Sequence, residues 1–287
     1  MGFGRVTVSR ETLARDFRRA GIAAGDVLIV HSAMSRLGHV HGGPHDVVRA
    51  LQDALGAEGT LLMPTFSFNL AGWNLPHFDP RNTPSRVGLL TDTFWRMDGV
   101  IRTPHPTHSV SAWGAWAKVL TDGPLSYEPL GLGSPLDRAR LLDAKILLLG
   151  VGQVANSTVH VAESLARAPY LAVPFALQDD WDEASYMDPA TRKITRLVIN
   201  EMPGGSEGFA VLEEPLERMA IARPVKIGPA PSLLMRSQQV CMAVVEFLRQ
   251  DPLYLLGGPG PSEITRRRRA HVEKLLRERA PARSVAS

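Results

Sequence analysis

The sequence has very little cysteine, and Cys241 is the single one among its 287 residues. One thiol excludes a disulfide within the chain and any metal site built from several cysteines. Cys241 stands in an apolar segment with helical spacing, which is typical of a small buried hydrophobic side chain. His39, His41 and His45 are close together, but they lack carboxylate or cysteine partners at ligand spacing. We therefore expect no metal ion.

Long apolar runs are also missing from the sequence. No stretch reaches the ~18 apolar residues of a membrane-spanning helix. The first residues lack the apolar core of a signal peptide. We therefore expect a cytoplasmic protein without a membrane partner.

The chain has only a small excess of charge of one sign. Its 32 Lys and Arg residues against 29 Asp and Glu residues give a formal net charge of +3. Much of the basic excess lies in the arginine run 266–269 and its neighbours. Such a run suits a nucleic acid or a membrane surface, and it equally suits the solvated face of a terminal helix. We adopt the second interpretation and expect no nucleic-acid partner.

The composition is that of an ordinary globular protein, with 44% hydrophobic and 21% charged residues. A chain of this length fits one large α/β domain or two modest ones. Because no strong linker interrupts the sequence, we expect one domain over residues 1–287. Its core is expected at about 9–250 and a C-terminal helix at about 262–279, followed by a disordered tail.

Helix and strand signals alternate along the first half of the chain. Ser9 has the residue type of a helix N-cap. Apolar runs at 27–30 and 60–63 predict two strands, and a helical pattern at 46–55 lies between them. The order strand, helix, strand is the repeating unit of a layered α/β sheet.

The pattern of helix and strand signals changes in the second half of the sequence, where an antiparallel excursion is predicted near 178–212. A strand is predicted at about 192–199, with a partner around Phe209 to Leu212. Ser232 is predicted to cap a long amphipathic helix that runs to Arg249. This helix and the terminal helix offer surfaces that are compatible with a homodimer.

The sequence NSTVHVAE at 156–163 is the candidate catalytic segment. It follows an apolar run closed by Gly150 and Gly152, which predicts a buried strand and a turn, and its Asn, Ser and Thr favour a helix start. His160 and Glu163 are three residues apart and therefore share one helix face. A carboxylate beside an imidazole fixes its tautomer and stabilises the imidazolium, which suits a general base.

A set of short motifs, in this order, resembles the aminoglycoside 3-N-acetyltransferase family, which is unrelated in fold to the GNAT acetyltransferases. The motifs are HSAMSRLG (31–38), GG (42–43), GTLLMPT (59–65), FDP (78–80), TP (83–84), RTPHP (102–106), Ser109, GSP (133–135), LLLGVG (147–152) and TVHVAE (158–163). The resemblance covers roughly residues 25–165. It implies an α/β/α sandwich of the antibiotic N-acetyltransferase type, with a small antiparallel excursion.

The resemblance implies acetyl-CoA as co-substrate. The residues it places along the coenzyme are His31, Ser32, Ser35, Leu37, Gly38, Arg102, Thr103, His105, Ser109 and Ala112. A loop rich in glycine and hydroxyl groups after a strand also offers backbone N–H donors to an anion. His105 and His108, in a proline-containing loop, either line the thioester site or hold the loop together.

The same resemblance assigns His160 as the general base, oriented by Glu163, in direct acetyl transfer to an amine. Thr158, Ser109 or backbone N–H groups at the helix start are the candidates for stabilising the oxyanion. The implied acceptor is the 3-amino group of 2-deoxystreptamine in an aminoglycoside. Asp79, Asp179 and Asp180 are candidates for binding its ammonium groups, although acidic loop residues are often simply solvated.

Three other functions stay open. The segment 178–213 is hard to align with resistance enzymes, which favours an N-acyltransferase of the same fold acting on another amine in natural-product biosynthesis. A hydrolase using His160 and Glu163 is disfavoured because the sequence predicts no nucleophile elbow of the Gly-x-Ser-x-Gly type, in which the serine stands on a turn between a strand and a helix. A coenzyme A-binding protein without activity is the remaining alternative.

Overall fold

A seven-stranded sheet lies at the centre of the molecule, with helices on both faces. The computed structural model describes residues 7–68, 77–123, 128–173, 183–198, 205–257 and 261–279. The described strands are β1 (Thr7–Val8), β2 (Val27–Ser32), β3 (His39–Val40), β4 (Thr60–Pro64), β5 (Ile101–Arg102), β6 (Val110–Gly114), β7 (Lys145–Leu149), β8 (Glu183–Met187), β9 (Ile194–Val198), β10 (Arg223–Ile227) and β11 (Ala230–Arg236). The described α-helices are α1 (Arg10–Ala20), α2 (Gly43–Leu55), α3 (Leu89–Phe94), α4 (Ala117–Thr121), α5 (Pro135–Leu141), α6 (Thr158–Leu165), α7 (Glu213–Arg218), α8 (Ser237–Gln250) and α9 (Glu263–Arg279).

The strand order of the main sheet is β10-β11-β7-β2-β4-β6-β5. The three central strands β7, β2 and β4 are parallel, and β11 and β6 join them antiparallel on either side. β2 and β7 end side by side, with Ser32 opposite Leu149. In α/β sheets this carboxyl edge is where ligands bind.

Side chains of β2 alternate between two hydrophobic cores, as the two-residue period of a strand requires. Leu28 and Val30 pack in one core with residues of α1 and α2 such as Phe17. Ile29 points into the other core, which includes Val159 of α6 and residues of α5 and α8. Burial of each such side chain contributes about 1.5–3 kcal/mol to folding. The result is the predicted α/β/α layering.

Local signals define the ends of α1. The Ser9 hydroxyl accepts a hydrogen bond from the Thr12 N–H at 3.3 Å, so the predicted N-cap is confirmed. Gly21 ends the helix with a φ of 102°, a left-handed conformation in which glycine has no Cβ penalty.

The predicted antiparallel excursion is confirmed as the pair β8 and β9. The predicted strand partner at Phe209 to Leu212 is wrong, because residues Glu207–Leu212 form a 3₁₀-helix. Phe209 and Leu212 are three residues apart, so a turn of 3₁₀-helix places both on one face, and both are fully buried in the core.

The predicted helix start at Ser232 is also wrong. Ser232 lies in strand β11, and α8 begins at Ser237. Leu233, Leu234 and Met235 are all buried because β11 pairs with β7 and has a core on each face. A strand buried on both faces gives a continuous apolar run, which periodicity alone does not distinguish from a helix.

None of the described helices has both the length and the apolar composition needed to cross a bilayer. In the described part of the chain, no group of three or more His, Cys, Asp or Glu residues is placed to hold a metal ion. The predicted disordered tail lies outside the described residues.

Candidate active site

Helix α6 is positioned at the carboxyl edge of the sheet by the turn that follows β7. Gly150 has a φ of 71°, and a Cβ there would lie 2.6 Å from the Arg36 Cβ, so glycine is required. Asn156 connects the turn to the helix, since its Oδ1 accepts from the Thr158 N–H at 3.2 Å. Its side-chain amide donates to Gln153 Oε1 at 2.9 Å. These contacts fix the direction in which α6 leaves the sheet.

His160 and Glu163 meet on α6 as their spacing predicts. His160 Nδ1 lies 2.6 Å from Glu163 Oε2, and both side chains are buried. Because an ionised carboxylate only accepts hydrogen bonds, we assign the proton of a neutral His160 to Nδ1. Nε2 is then the nitrogen with a lone pair, which is the arrangement of a general base.

Tyr170 holds the other oxygen of the same carboxylate. Its hydroxyl donates to Glu163 Oε1 at 2.8 Å. Burial raises the pKa of Tyr170 well above its usual value, and the nearby Glu163 carboxylate raises it further, so the phenol stays a donor. The guanidinium carbon of Arg268 in α9 lies 5.8 Å from the Tyr170 ring centroid. Both oxygens of Glu163 are therefore engaged, and the carboxylate cannot rotate without losing a bond.

His160 forms part of the walls of two cavities. The larger, of about 500 Å³, lies at the end of β2 and is lined by His31, Ser32, Phe66, Phe68, His108 and residues 205–207, among others. The second, of about 340 Å³, is lined by Glu128, Gly131, Glu163, Arg167, Pro169 and Leu171, among others. One imidazole thus borders two concave sites, an arrangement that suits a reaction between two bound molecules.

The residues predicted to bind the coenzyme fall into three groups. His31 and Ser32 line the large cavity. Thr103 and His105 line a small cavity of about 40 Å³ nearby. The others lie outside the walls of these cavities; they are Ser35, Leu37, Gly38, Arg102, Ser109 and Ala112. Coenzyme contact stays a prediction for all of them.

Several of the last group have structural contacts. Arg102 donates to the Thr65 carbonyl at 2.8 Å and to the Ser109 hydroxyl at 3.0 Å. Burial lowers the pKa of Arg102 to about 10. Leu37 and Ala112 are buried in the two cores, whereas Ser35 is exposed in the 3₁₀-helix Met34–Leu37 after β2 and Gly38 is exposed at its end.

The structure does not bring the remaining predicted residues together in one place. Thr158 is fully buried, and its hydroxyl has no hydrogen-bond partner among the described residues. The Asp79 carboxylate accepts from the Arg81 N–H and the Asn82 amide at 2.9 and 2.8 Å, so it stabilises a local turn. Asp179 and Asp180 lie outside the described residues. The roles assigned to these residues stay predictions.

Glu207 is an acidic residue of the large cavity that the sequence did not single out. Its Oε1 accepts from the Thr265 hydroxyl at 2.6 Å and from the Ser262 N–H at 3.2 Å. Burial opposes its ionisation, but the hydrogen bonds from Ser262 and Thr265 outweigh burial and lower the pKa of Glu207 to about 2. The large cavity therefore carries a negative charge at neutral pH.

His31 contributes a neutral imidazole to the same cavity. Burial lowers the pKa of His31 to about 3. Its Nε2 is buried and has no hydrogen-bond partner among the residues that the structure describes. An unsatisfied buried polar atom is costly, so this nitrogen is suited to a bound molecule.

Comparisons with known proteins identify the family of the chain. A family model described as aminoglycoside 3-N-acetyltransferase matches residues 29–249. Aminoglycoside N(3)-acetyltransferase IV from Salmonella sp is 34% identical over 244 residues, which span 83% of this chain and 87% of that protein. Aminoglycoside N(3)-acetyltransferase VII from Streptomyces paromomycinus is 29% identical over 283 residues, which span 88% of this chain and 95% of that protein.

Solved structures share the fold over most of the chain. The apoenzyme of aminoglycoside acetyltransferase AAC(3)-IVa has a TM-score of 0.82 at 31% identity, covering 94% of this chain and 100% of that one. A histidine-to-alanine mutant of that enzyme in complex with a gentamicin has a TM-score of 0.81 at 31% identity, with 93% and 99% covered. AAC-IIIb binary with CoASH has a TM-score of 0.70 at 25% identity, with 89% and 100% covered.

Proposed function

The chain belongs to the aminoglycoside 3-N-acetyltransferase family and is an acyltransferase, and we propose that it transfers an acetyl group from acetyl-CoA directly to an aminoglycoside. The proposed acceptor is the 3-amino group of the 2-deoxystreptamine ring. His160 is the proposed general base. The observation that carries the proposal is the His160–Glu163 pair, whose imidazole borders both cavities.

The chemistry requires a base because an amine on a polycationic sugar is mostly protonated at neutral pH. The free-amine form, which has released one proton to solvent, is the nucleophile in the proposed step. Its nitrogen forms a bond to the acetyl carbon, the carbon–sulfur bond breaks, and coenzyme A leaves as its thiolate. His160 Nε2 accepts the proton that the nitrogen loses, and Glu163 stabilises the resulting imidazolium. A general base of this kind typically increases the reaction rate by about 10²–10⁴-fold.

Acetyl-CoA, when bound, supplies the acyl group in activated form as a thioester. His31 and Ser32 would contact it in the large cavity, where the buried Nε2 of His31 has no partner among the described residues. This orphaned nitrogen fits a ligand that brings amide groups, whose N–H donates and whose carbonyl accepts, as the pantetheine arm does. The coenzyme A complex of AAC-IIIb supports the choice of co-substrate.

Glu207 and Glu128 are the proposed anionic contacts for the acceptor. Glu207 lines the large cavity and Glu128 the second one, so each side of His160 has a carboxylate. A carboxylate within about 4 Å of an ammonium gains about 4 kcal/mol at an effective dielectric constant near 20. The gentamicin complex of AAC(3)-IVa supports an aminoglycoside acceptor.

The test is thiol release from acetyl-CoA with a panel of aminoglycosides and simple amino compounds. We compare the wild type with His160→Ala and with the matched control His45→Ala, since His45 is exposed on α2. We expect aminoglycoside-dependent release that is lost in His160→Ala and retained in His45→Ala. Intersecting initial-rate lines are expected for direct transfer, whereas parallel lines would indicate a covalent acyl-enzyme.

The alternatives give different outcomes in the same assay. Release without any amine would identify a hydrolase. Coenzyme A binding without release would identify a binding protein. Release driven by another amine and not by aminoglycosides would favour the biosynthetic N-acyltransferase.

A further inference from the structure

His105, Thr107 and His108 form a hydrogen-bond chain beside the large cavity. His105 Nδ1 accepts from the backbone N–H of Thr107 at 3.3 Å and from that of His108 at 3.1 Å. A ring nitrogen that accepts two N–H groups carries no proton. The Thr107 hydroxyl lies 3.2 Å from the same nitrogen, so the hydroxyl is the donor in that contact.

This chain engages one ring nitrogen of His108, Nδ1. His108 Nδ1 lies 2.9 Å from the Thr107 hydroxyl oxygen. The contact of the hydroxyl with the unprotonated His105 Nδ1 requires it to donate there, so we assign the oxygen as acceptor and His108 Nδ1 as donor. A neutral imidazole has one N–H, so Nε2 of His108 carries a lone pair.

The surroundings keep His108 neutral. Burial lowers the pKa of His108 well below its usual value, and the positive charges that His105 and His160 acquire on protonation lower it further. The ring also packs edge-on against Phe66 and Phe68, with centroids 4.7 and 5.3 Å away. A neutral ring suits a cavity for a cationic acceptor, since an imidazolium would repel the acceptor's ammonium groups.

His108 lines the same cavity as His160 and Glu207. We propose that His108 is a substrate-binding residue whose Nε2 accepts a hydrogen bond from an N–H donor of a bound substrate. The proposal rests on the proposed function. Two groups can supply this N–H donor. They are the amino groups of the aminoglycoside and the amides of the pantetheine arm of acetyl-CoA.

The variants for the test are His108→Phe, His108→Gln and Thr107→Val. His108→Phe keeps a ring and removes the acceptor, whereas His108→Gln keeps an acceptor. Thr107→Val preserves shape and removes the hydroxyl that His108 Nδ1 contacts. Circular dichroism and thermal unfolding identify any variant that does not fold, and Thr107→Val keeps the proposal testable if His108→Phe fails.

Binding is measured by calorimetry with coenzyme A and, separately, with gentamicin. We expect His108→Phe to weaken one of them about 10- to 100-fold, as for a lost hydrogen bond in which one partner is charged or deeply buried. We expect a smaller loss in His108→Gln and Thr107→Val. Weaker gentamicin binding would identify the aminoglycoside as the molecule that donates the hydrogen bond to His108. Weaker coenzyme A binding would identify the pantetheine arm instead. Unchanged binding of both would overturn the proposal.

Nitrogen-15 NMR of histidine side chains tests the tautomer without any activity. We expect His108 to have a protonated Nδ1 and an unprotonated Nε2 at pH 7, and the Nε2 signal to shift when the assigned ligand is added. A protonated Nε2 would overturn the assignment. If wild-type enzyme releases no thiol with aminoglycosides, the proposed function fails, whereas coenzyme A binding and the NMR signals still decide the role of His108.

Discussion

His160 Nδ1 lies 2.6 Å from Glu163 Oε2, three residues along one helix, and this contact leaves Nε2 as the imidazole nitrogen available to a substrate. The contact therefore orients the imidazole ring. The carboxylate holds one edge of the ring, and His160 lines two cavities. The phenol of Tyr170 holds the carboxylate in turn.

Replacement of Glu163 by Gln tests the stabilisation of the imidazolium. The amide is nearly isosteric and can still accept from Nδ1, but it carries no charge. We expect kcat to fall about 100-fold or more, with small changes in the KM for both substrates. Initial-rate kinetics with an aminoglycoside measure this. An unchanged kcat would remove Glu163 from the mechanism.

Replacement of Tyr170 by Phe removes the hydrogen bond to Glu163 Oε1. A buried carboxylate that loses a donor destabilises the fold by about 1–3 kcal/mol. We expect a lower urea midpoint and a decrease in kcat of about 10-fold, because the carboxylate is less well oriented. Tyr254→Phe is the control, since Tyr254 lies outside the walls of both cavities. Equal effects in the two variants would contradict a special role for Tyr170.

Glu207→Gln tests the anionic contact in the large cavity. We expect the KM for aminoglycosides to rise about 10-fold and the KM for acetyl-CoA to stay the same, because a charge–charge contact is lost only for the cation. The effect should shrink as salt is added, since ions screen partly exposed charges. A rise confined to the KM for acetyl-CoA would place the coenzyme, and not the acceptor, beside Glu207.

Glu207 also predicts a pH dependence of stability. Its pKa is lowered from 4.5 to about 2 in the folded protein, so the unfolded chain binds the proton more readily. The stabilisation is present above pH 4.5 and is lost as the pH falls towards 2. We expect urea midpoints to fall less steeply in Glu207→Gln than in the wild type over this window. If the urea midpoints of both proteins fall equally steeply with pH, folding does not lower the pKa of Glu207.

Cys241 is predicted to be chemically silent. It is 1% exposed, and burial raises the pKa of its thiol to about 12. The folded protein should therefore resist alkylation by iodoacetamide at about pH 8 and react once unfolded. We expect Cys241→Ala to retain transfer activity. Rapid labelling of the folded chain, or loss of activity without loss of stability, would contradict this.

Much of the sheet was predictable from local patterns. The strands at 27–30 and 60–63 are apolar runs closed by turn signals, and the pair His160 and Glu163 follows from helix spacing alone. Strand β11 was assigned wrongly because three consecutive buried apolar residues fit a helix as well as a strand. Strand β11 also runs directly into α8, so no turn signal separates its apolar run from the helix.

The long-range contacts of the site were not predictable in this way. Tyr170 lies beyond the end of α6 at Leu165, so helix spacing says nothing about its contact with Glu163. Glu207 and Thr265 are 58 residues apart in sequence. No local pattern relates such residues, because the chain between them sets their distance only after folding.

Helix α9 lies beyond residues 29–249, the segment that the family model matches. Nevertheless, Thr265 in α9 and Ser262 just before it hold the carboxylate of Glu207, and Arg268 lies against Tyr170. In the proposed function, a change in α9 would therefore alter an anionic contact of the acceptor, although none of its described residues lines either cavity. We therefore expect relatives that agree across the matched segment but differ in their last helix to differ in acceptor preference.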